Sequence, residues 1–315
     1  MATVARRRWY GSDRGLTTRM TLTMFGLGLI YVIFIGALIA AGTSAILILV
    51  IAGGIALAQI FFGDKLALAA MKARVTEPHE APELHTAIER LCQLADLPKP
   101  KVAVSQMDLP NAFAAGHSRK SATVCVTTGL MERLEPRELD GVLAHELSHI
   151  ANKDVVVMTV AGFLATVAGL LVRFGLYSGM MGGRSRDNTA VVFLVVVVAS
   201  VIVYVLSFLL LRALSRYREY AADRGSAIVT GAPAQLASAL QKIGGTMARI
   251  PTRDLRAAEG MNAFFIMPAV SKGFSLSSIV ATHPPTEKRI ERLLAMQARI
   301  DAAPAEPVSA VLAGS

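Results

Sequence analysis

The sequence predicts an α-helical integral membrane protein carrying an α+β domain outside the lipid, mostly helical overall with a small sheet. Three observations predict this. The 315 residues are 53% hydrophobic, with a mean hydropathy of +0.50, high for a chain that hides its apolar residues in one soluble core. The apolar residues gather in four long runs arranged as two pairs, each close to the roughly 20 helical residues that span a bilayer. Outside the pairs the chain turns polar, and one polar segment holds Ala144-His145-Glu146-Leu147-Ser148-His149-Ile150, a His-Glu-x-x-His run with helical spacing.

Residues 1–20 form a basic tail with Arg6, Arg7, Arg8, Arg14 and Arg19. Thr21 to Ala41 and residues 45–62 are uncharged and separated by Gly42-Thr43-Ser44, which makes a transmembrane hairpin over 21–62. A cleaved signal peptide is the competitor, since Ala40-Ala41-Gly42 resembles a cleavage region, but the first run is long for one and a second span follows at once. No Lys or Arg lies in the turn, and Lys65, Lys72 and Arg74 follow the second run. That asymmetry places both ends of the hairpin in the cytoplasm. The same flanks account for the net charge of +9 without invoking nucleic acid.

Residues 75–154 read as the first part of a soluble domain. Pro82 to Asp96 has an amphipathic helical period, Lys101 to Ser105 alternates as a strand, and Ala122 to Thr127 is a second strand rich in β-branched residues. A short helix, Leu130–Leu134, leads into the His-Glu-x-x-His helix, with Pro136 at its first position and Glu138 in its first turn. Val155 to Tyr177 and Thr189 to Leu211 form a second hairpin over 155–211, and Gly162, Ala165, Thr166 and Gly169 suit close packing in lipid. Residues 212–300 complete the soluble domain, with helices over Pro233–Met247 and Glu287–Ala298, the latter capped by Thr286. Thr252 to Phe274 is irregular, and 301–315 is a disordered tail rich in Ala and Pro. Cys92 and Cys125 have no metal or redox spacing and read as core thiols.

Residues four apart share a helical face, so His145 and His149 can reach one metal ion. Glu146, the next residue round, can sit beside that ion without binding it and take a proton from water. Zinc suits the set: neutral imidazoles, no redox demand and an open position. A catalytic zinc needs a third protein ligand. Glu219, in Arg218-Glu219-Tyr220-Ala221-Ala222-Asp223, is the candidate, with Asp223 four residues on to accept a hydrogen bond from a ligand imidazole. The competing view of this segment is an exposed helix with acids among arginines. His79, His85 and His117 look like surface residues. Residues 135–149 contain Glu135, Arg137, Glu138 and Asp140, so the motif helix lies outside the hydrocarbon. If both connections to the spans stay helical, each ligand sits ~9–12 Å from the apolar core.

Together, His145-Glu146-Leu147-Ser148-His149, the Arg218–Asp223 block, Asn111-Ala112-Phe113-Ala114-Ala115-Gly116 and Thr282-His283-Pro284-Pro285 resemble the HtpX family of bacterial membrane zinc metalloproteases, related to the CAAX prenyl proteases. The resemblance covers roughly residues 1–295. It implies a gluzincin-like α+β protease domain in the cytoplasm. It also implies one zinc on His145, His149 and Glu219, Glu146 as general base and Asp223 behind the ligands. The expected substrates are misfolded or damaged membrane proteins at the bacterial inner membrane. Asn111, Ala112, Phe113 and Ala114 match a segment along the substrate cleft. A small apolar edge strand there could take an extended polypeptide by backbone hydrogen bonds, with an ordinary hairpin strand as the alternative. The reaction needs a further donor to the oxyanion. His283 is the candidate, the alternative being a helix-initiating residue ahead of Pro284-Pro285, and Tyr220 is a weaker one. A membrane scaffold or chaperone keeping zinc for structure is the non-enzymatic alternative, but it has no need of Glu146.

Overall fold

Residues 14–40, 45–162, 165, 168, 169, 189–247 and 284–302 are described in the computed structural model. Helix α1 (Arg14–Ala40) starts earlier than the uncharged run, taking in Arg14 and Arg19 that were expected in the tail. Both are good helix formers, so the helix extends past the apolar stretch. Helix α2 (Ala45–Ala70) likewise runs beyond Phe62, carrying Asp64 and Lys65 within it. Leu66 to Ala70 has no helix breaker, and Ala67 and Met71 have a buried surface to cover. Lys72 turns the chain with a φ of 48°, and strand β1 (Ala73–Val75), which the sequence pattern did not announce, begins at once.

The sheet has the order β1-β2-β4-β3, with β2 (Lys101–Ser105), β3 (Ala112–Ala115) and β4 (Thr123–Thr127). β2 runs parallel to β4, while β1 and β3 are antiparallel to their neighbours. Strand side chains alternate between faces. Ala103, Phe113 and Cys125 pack against Ala67 and Met71 at the end of α2. Val102, Val104, Val124 and Val126 join Leu84, Ile88 and Leu91 of α3 (Pro82–Ala95) and Leu143 and Leu147 of α5 (Pro136–Ala151) in the main core. A single turn of helix, α4 (Thr128–Met131), separates β4 from α5. β3 is therefore an edge strand, and it lies against α5.

After α5 the chain does not continue as one helix. Lys153 has a φ of 55°, and a new helix, α6 (residues 154–162), begins at the next residue. The expected helical link from His149 to the third run is thus broken at Asn152-Lys153. The fourth run behaves as expected: α7 (Thr189–Thr230) is one helix of 42 residues that carries Glu219 and Asp223 past the apolar stretch, and Gly231, with a φ of 66°, follows its end. α8 (Pro233–Met247) packs on α5, and α9 (Thr286–Asp301) packs on α8 and α7. Pro285, not Thr286, is the cap of α9. The segment 252–274 and the tail from 303 onwards lie outside the described residues.

Two of the described helices are long and apolar enough to cross a membrane, over Arg14–Gly36 and Leu194–Thr230. They pack on each other through Leu27, Phe34, Val203 and Leu214. Their outer faces expose Phe25, Val32, Leu194 and Ile202. A run of exposed apolar side chains on this scale suits contact with lipid.

Candidate metal centre

α5 starts with reciprocal capping. Glu135 is the N-cap, and its N–H donates to Glu138 Oε2 at 2.9 Å while its own side chain accepts from the backbone N–H of Glu138. Two donors that a helix start leaves orphaned are thereby satisfied. Ser238 Oγ donates to Glu138 Oε1 at 2.6 Å and Lys242 Nζ to Oε2 at 2.8 Å, so this end is fixed to α8.

Two glycines let neighbours come close to α5. A Cβ at Gly141 would stand 2.9 Å from the backbone N of Leu236, and one at Gly225 would stand 2.7 Å from Ser148 Cβ. Ser226 Oγ donates to Gly141 O at 2.7 Å, tying α7 to α5.

This contact brings the three predicted ligands together. His145 Nε2 and His149 Nε2 lie 3.1 Å apart, and Glu219 offers one oxygen to each at 3.5 Å. One atom from each of the three residues lies within 4.8 Å of the others. Behind them, His145 Nδ1 is 3.0 Å from Asp223 Oδ1, and His149 Nδ1 is 2.7 Å from Asp154 Oδ2. A neutral imidazole that donates from Nδ1 presents a lone pair at Nε2. Two lone pairs and a carboxylate then face one point, an arrangement that repels itself unless a cation sits there. Burial disfavours charge on His145, yet the Asp223 and Glu219 carboxylates more than offset this and push its pKa up to about 9. The donor set, two imidazoles and a carboxylate, fits divalent zinc.

Arg289 of α9 supplies counter-charge. Its side chain is 1% exposed, donating from Nε and Nη2 to Asp223 at 3.0 and 2.7 Å, with Nη1 3.3 Å from Glu219 Oε2. Glu146 is buried beside His145 and His149. Burial raises its pKa, opposed by His149 and His145, and the Ala114 backbone N–H donates to its carboxylate. A carboxyl group held there is suited to moving a proton.

The cleft candidates sit on the edge strand or just ahead of it. Asn111 N–H donates to Thr127 Oγ1 at 2.8 Å, and Asn111 O accepts from Thr127 N–H at 2.9 Å. Ala112 is buried, and Phe113 packs among the residues at the end of α2. Ala114 is partly exposed, and its backbone N–H is the one that reaches Glu146. His283 lies outside the described residues. The Arg292 guanidinium sits 4.5 Å from the Tyr220 ring, a packing role. His79 is exposed and His117 half-buried. His85 is buried, contrary to expectation, because it lies on the apolar face of α3, with Nε2 3.1 Å from Thr76 O.

Asp154, Arg218 and Arg289 also belong to this cluster, which the motif spacing alone does not reveal. Arg218, in a segment whose competing view was an exposed helix, is 6% exposed and pairs with Asp154. The available signals were an acid directly before an apolar run and a charge four residues from Leu293 on the buried face of α9.

Residues 78–297 match the family model of peptidase family M48. The chain is 54% identical over 296 residues to "Protease HtpX homolog 1" of Streptomyces coelicolor, covering 94% of this chain and 97% of that one. It is 52% identical over 297 residues to "Protease HtpX homolog" of Moorella thermoacetica, covering 94% and 99%. It is 52% identical over 292 residues to a homolog of Methanosarcina mazei, covering 93% and 98%. Its fold is similar to the crystal structure of S. mikatae Ste24p, with a TM-score of 0.51 at 18% identity, covering 89% of this chain and 67% of that one.

Proposed function

The chain belongs to peptidase family M48, and from that premise we propose that it is a membrane-embedded zinc metalloendopeptidase acting on misfolded or damaged membrane proteins. The observation that carries this reading is the convergence of His145 Nε2, His149 Nε2 and the Glu219 carboxylate, with Glu146 beside them. His145, His149 and Glu219 hold the metal. When bound, zinc supplies Lewis-acid activation of water and of the scissile carbonyl near neutral pH.

The chain's own residues do the rest. Glu146 accepts a proton from the attacking water and passes it to the leaving amine. Asp223 keeps His145 in the tautomer that presents Nε2. The outer edge of β3 offers backbone groups to an extended polypeptide, which gives affinity with little demand on side chains. His283 is assigned the further donor to the oxyanion.

We assign four spans, with both hairpin bases, the soluble domain and both termini in the cytoplasm. Glu219 follows Leu211 by eight helical residues, placing it roughly 12 Å beyond the apolar run. Loops and ends of membrane proteins near the bilayer surface are then the reachable substrates. The test is cleavage of casein by detergent-solubilised protein. The account expects activity that a chelator removes and zinc restores; cleavage unaffected by chelation would contradict it.

A further inference from the structure

The expected zinc chemistry uses Glu146 and three ligands, and Asp223 supports one of those ligands. It leaves a buried ion pair unexplained. Asp154 is the first residue of α6, 7% exposed, and its Oδ2 lies 2.7 Å from His149 Nδ1. Its other oxygen, Oδ1, meets Arg218 Nη2. Arg218 is 6% exposed, and the same Nη2 reaches Asn152 O at 3.3 Å. Arg218 precedes Glu219, so α7 touches the site twice: through Glu219 on the ligand side, and through Arg218 on the carboxylate behind His149.

We propose that Asp154 and Arg218 are a positioning pair that fixes His149 in its metal-binding tautomer and ties this ligand to the base of the membrane hairpin. The proposal rests on reading His145, His149 and Glu219 as the metal centre. Three features support it. The helix break at Lys153, with a φ of 55°, lies directly before Asp154, whose carboxylate meets the His149 ring. A solvated acid at the mouth of a span needs no partner, whereas this one is buried and contacts two side chains. Arg218 lies on Oδ1, and Oδ2 faces His149 Nδ1.

In Asp154→Asn the amide has one acceptor and one donor end. Arg218 claims the oxygen, so the NH2 group turns to His149 and donates to Nδ1. The imidazole proton then moves to Nε2, where the metal must bind. Removing the arginine as well, in Asp154→Asn/Arg218→Met, lets the amide rotate and offer its oxygen to Nδ1. A residue behind a ligand typically changes metal affinity by about 10- to 100-fold. The pair should therefore be strongly non-additive.

The experiment measures Zn²⁺ affinity by competition with a chromogenic chelator, and the visible absorption of the Co²⁺-loaded protein, on full-length protein in detergent. Wild type, Asp154→Asn, Arg218→Met and the double variant are compared. The expected result is about a 10- to 100-fold weaker affinity and an altered Co²⁺ spectrum for Asp154→Asn, with both largely recovered in the double variant. Wild-type affinity and spectrum in Asp154→Asn would overturn the pair, as would a double variant no better than Asp154→Asn. A wild-type protein that takes up no metal would instead overturn the metal centre itself. Apo-protein melting is recorded alongside, since a purely structural pair would lower it without changing the Co²⁺ spectrum, and that outcome too would overturn the proposal.

Discussion

His145 and Asp223 meet through one short contact, Nδ1 to Oδ1 at 3.0 Å, between helices α5 and α7. Asp223 leaves the other ring nitrogen to face His149 and Glu219. Asp223→Asn should weaken Zn²⁺ binding by about 10- to 100-fold while the chain stays folded. Chelator competition with a melting curve on the same sample checks both halves of that statement.

Arg289 is held by Asp223 and Glu219 inside the protein. Replacing it by methionine leaves two buried carboxylates without this counter-charge. Breaking a buried pair from one side costs about 3–5 kcal/mol. Arg289→Met should therefore lower the melting temperature strongly, and Arg289→Met/Asp223→Asn should lose less than the sum of the two single changes.

Gly225 faces Ser148 across the contact between α5 and α7, and any Cβ there would overlap the serine side chain. Gly225→Ala should destabilise the protein by about 1–3 kcal/mol through overpacking. Adding Ser148→Gly should recover part of the loss in thermal unfolding, because the crowded atoms are then gone.

Glu138 links the start of α5 to α8. Burial raises its pKa, but Lys242, Ser238 and the Glu135 N–H more than offset this and hold it below the ordinary glutamate value. A lowered carboxylate pKa stabilises the fold above the unfolded-state value and stops doing so as pH falls through the folded one. Glu138→Gln should melt earlier than wild type near pH ~7, by about 1–3 kcal/mol. The gap should close as acid protonates the wild-type side chain; a gap independent of pH would contradict the assignment.

Burial pushes the Cys92 thiol up to about 11 and that of Cys125 to about 12. Neither should react with a membrane-impermeant thiol reagent near neutral pH until the protein is unfolded. That silence allows an orientation test at exposed Lys120, in the turn between β3 and β4. Lys120→Cys should be labelled in inverted membranes and protected in sealed cells, as the cytoplasmic placement requires.

Much of this was legible in the chain. The strand limits of β2 and the helix over Pro233–Met247 follow from local pattern alone. The grouping of His145, His149 and Glu219 was also findable, because helical spacing puts the two histidines on one face and sets Glu219 four residues from Asp223. What the pattern did not give was anything set by contact between distant elements. β1 is three residues long and exists because β2 offers it a partner. His85, Arg218 and Arg289 are buried by their neighbours, although their residue types favour the surface. Asp154 was hidden by its position next to an apolar run, where its backbone turn could not be foreseen.

The most direct measurement compares Glu146→Gln with wild type at matched zinc content. The account predicts one bound zinc per chain in both, with casein cleavage in wild type and loss of nearly all of it in the variant. Equal cleavage by the two proteins would contradict the assignment of Glu146 as the base, and with it the proposed chemistry of the site.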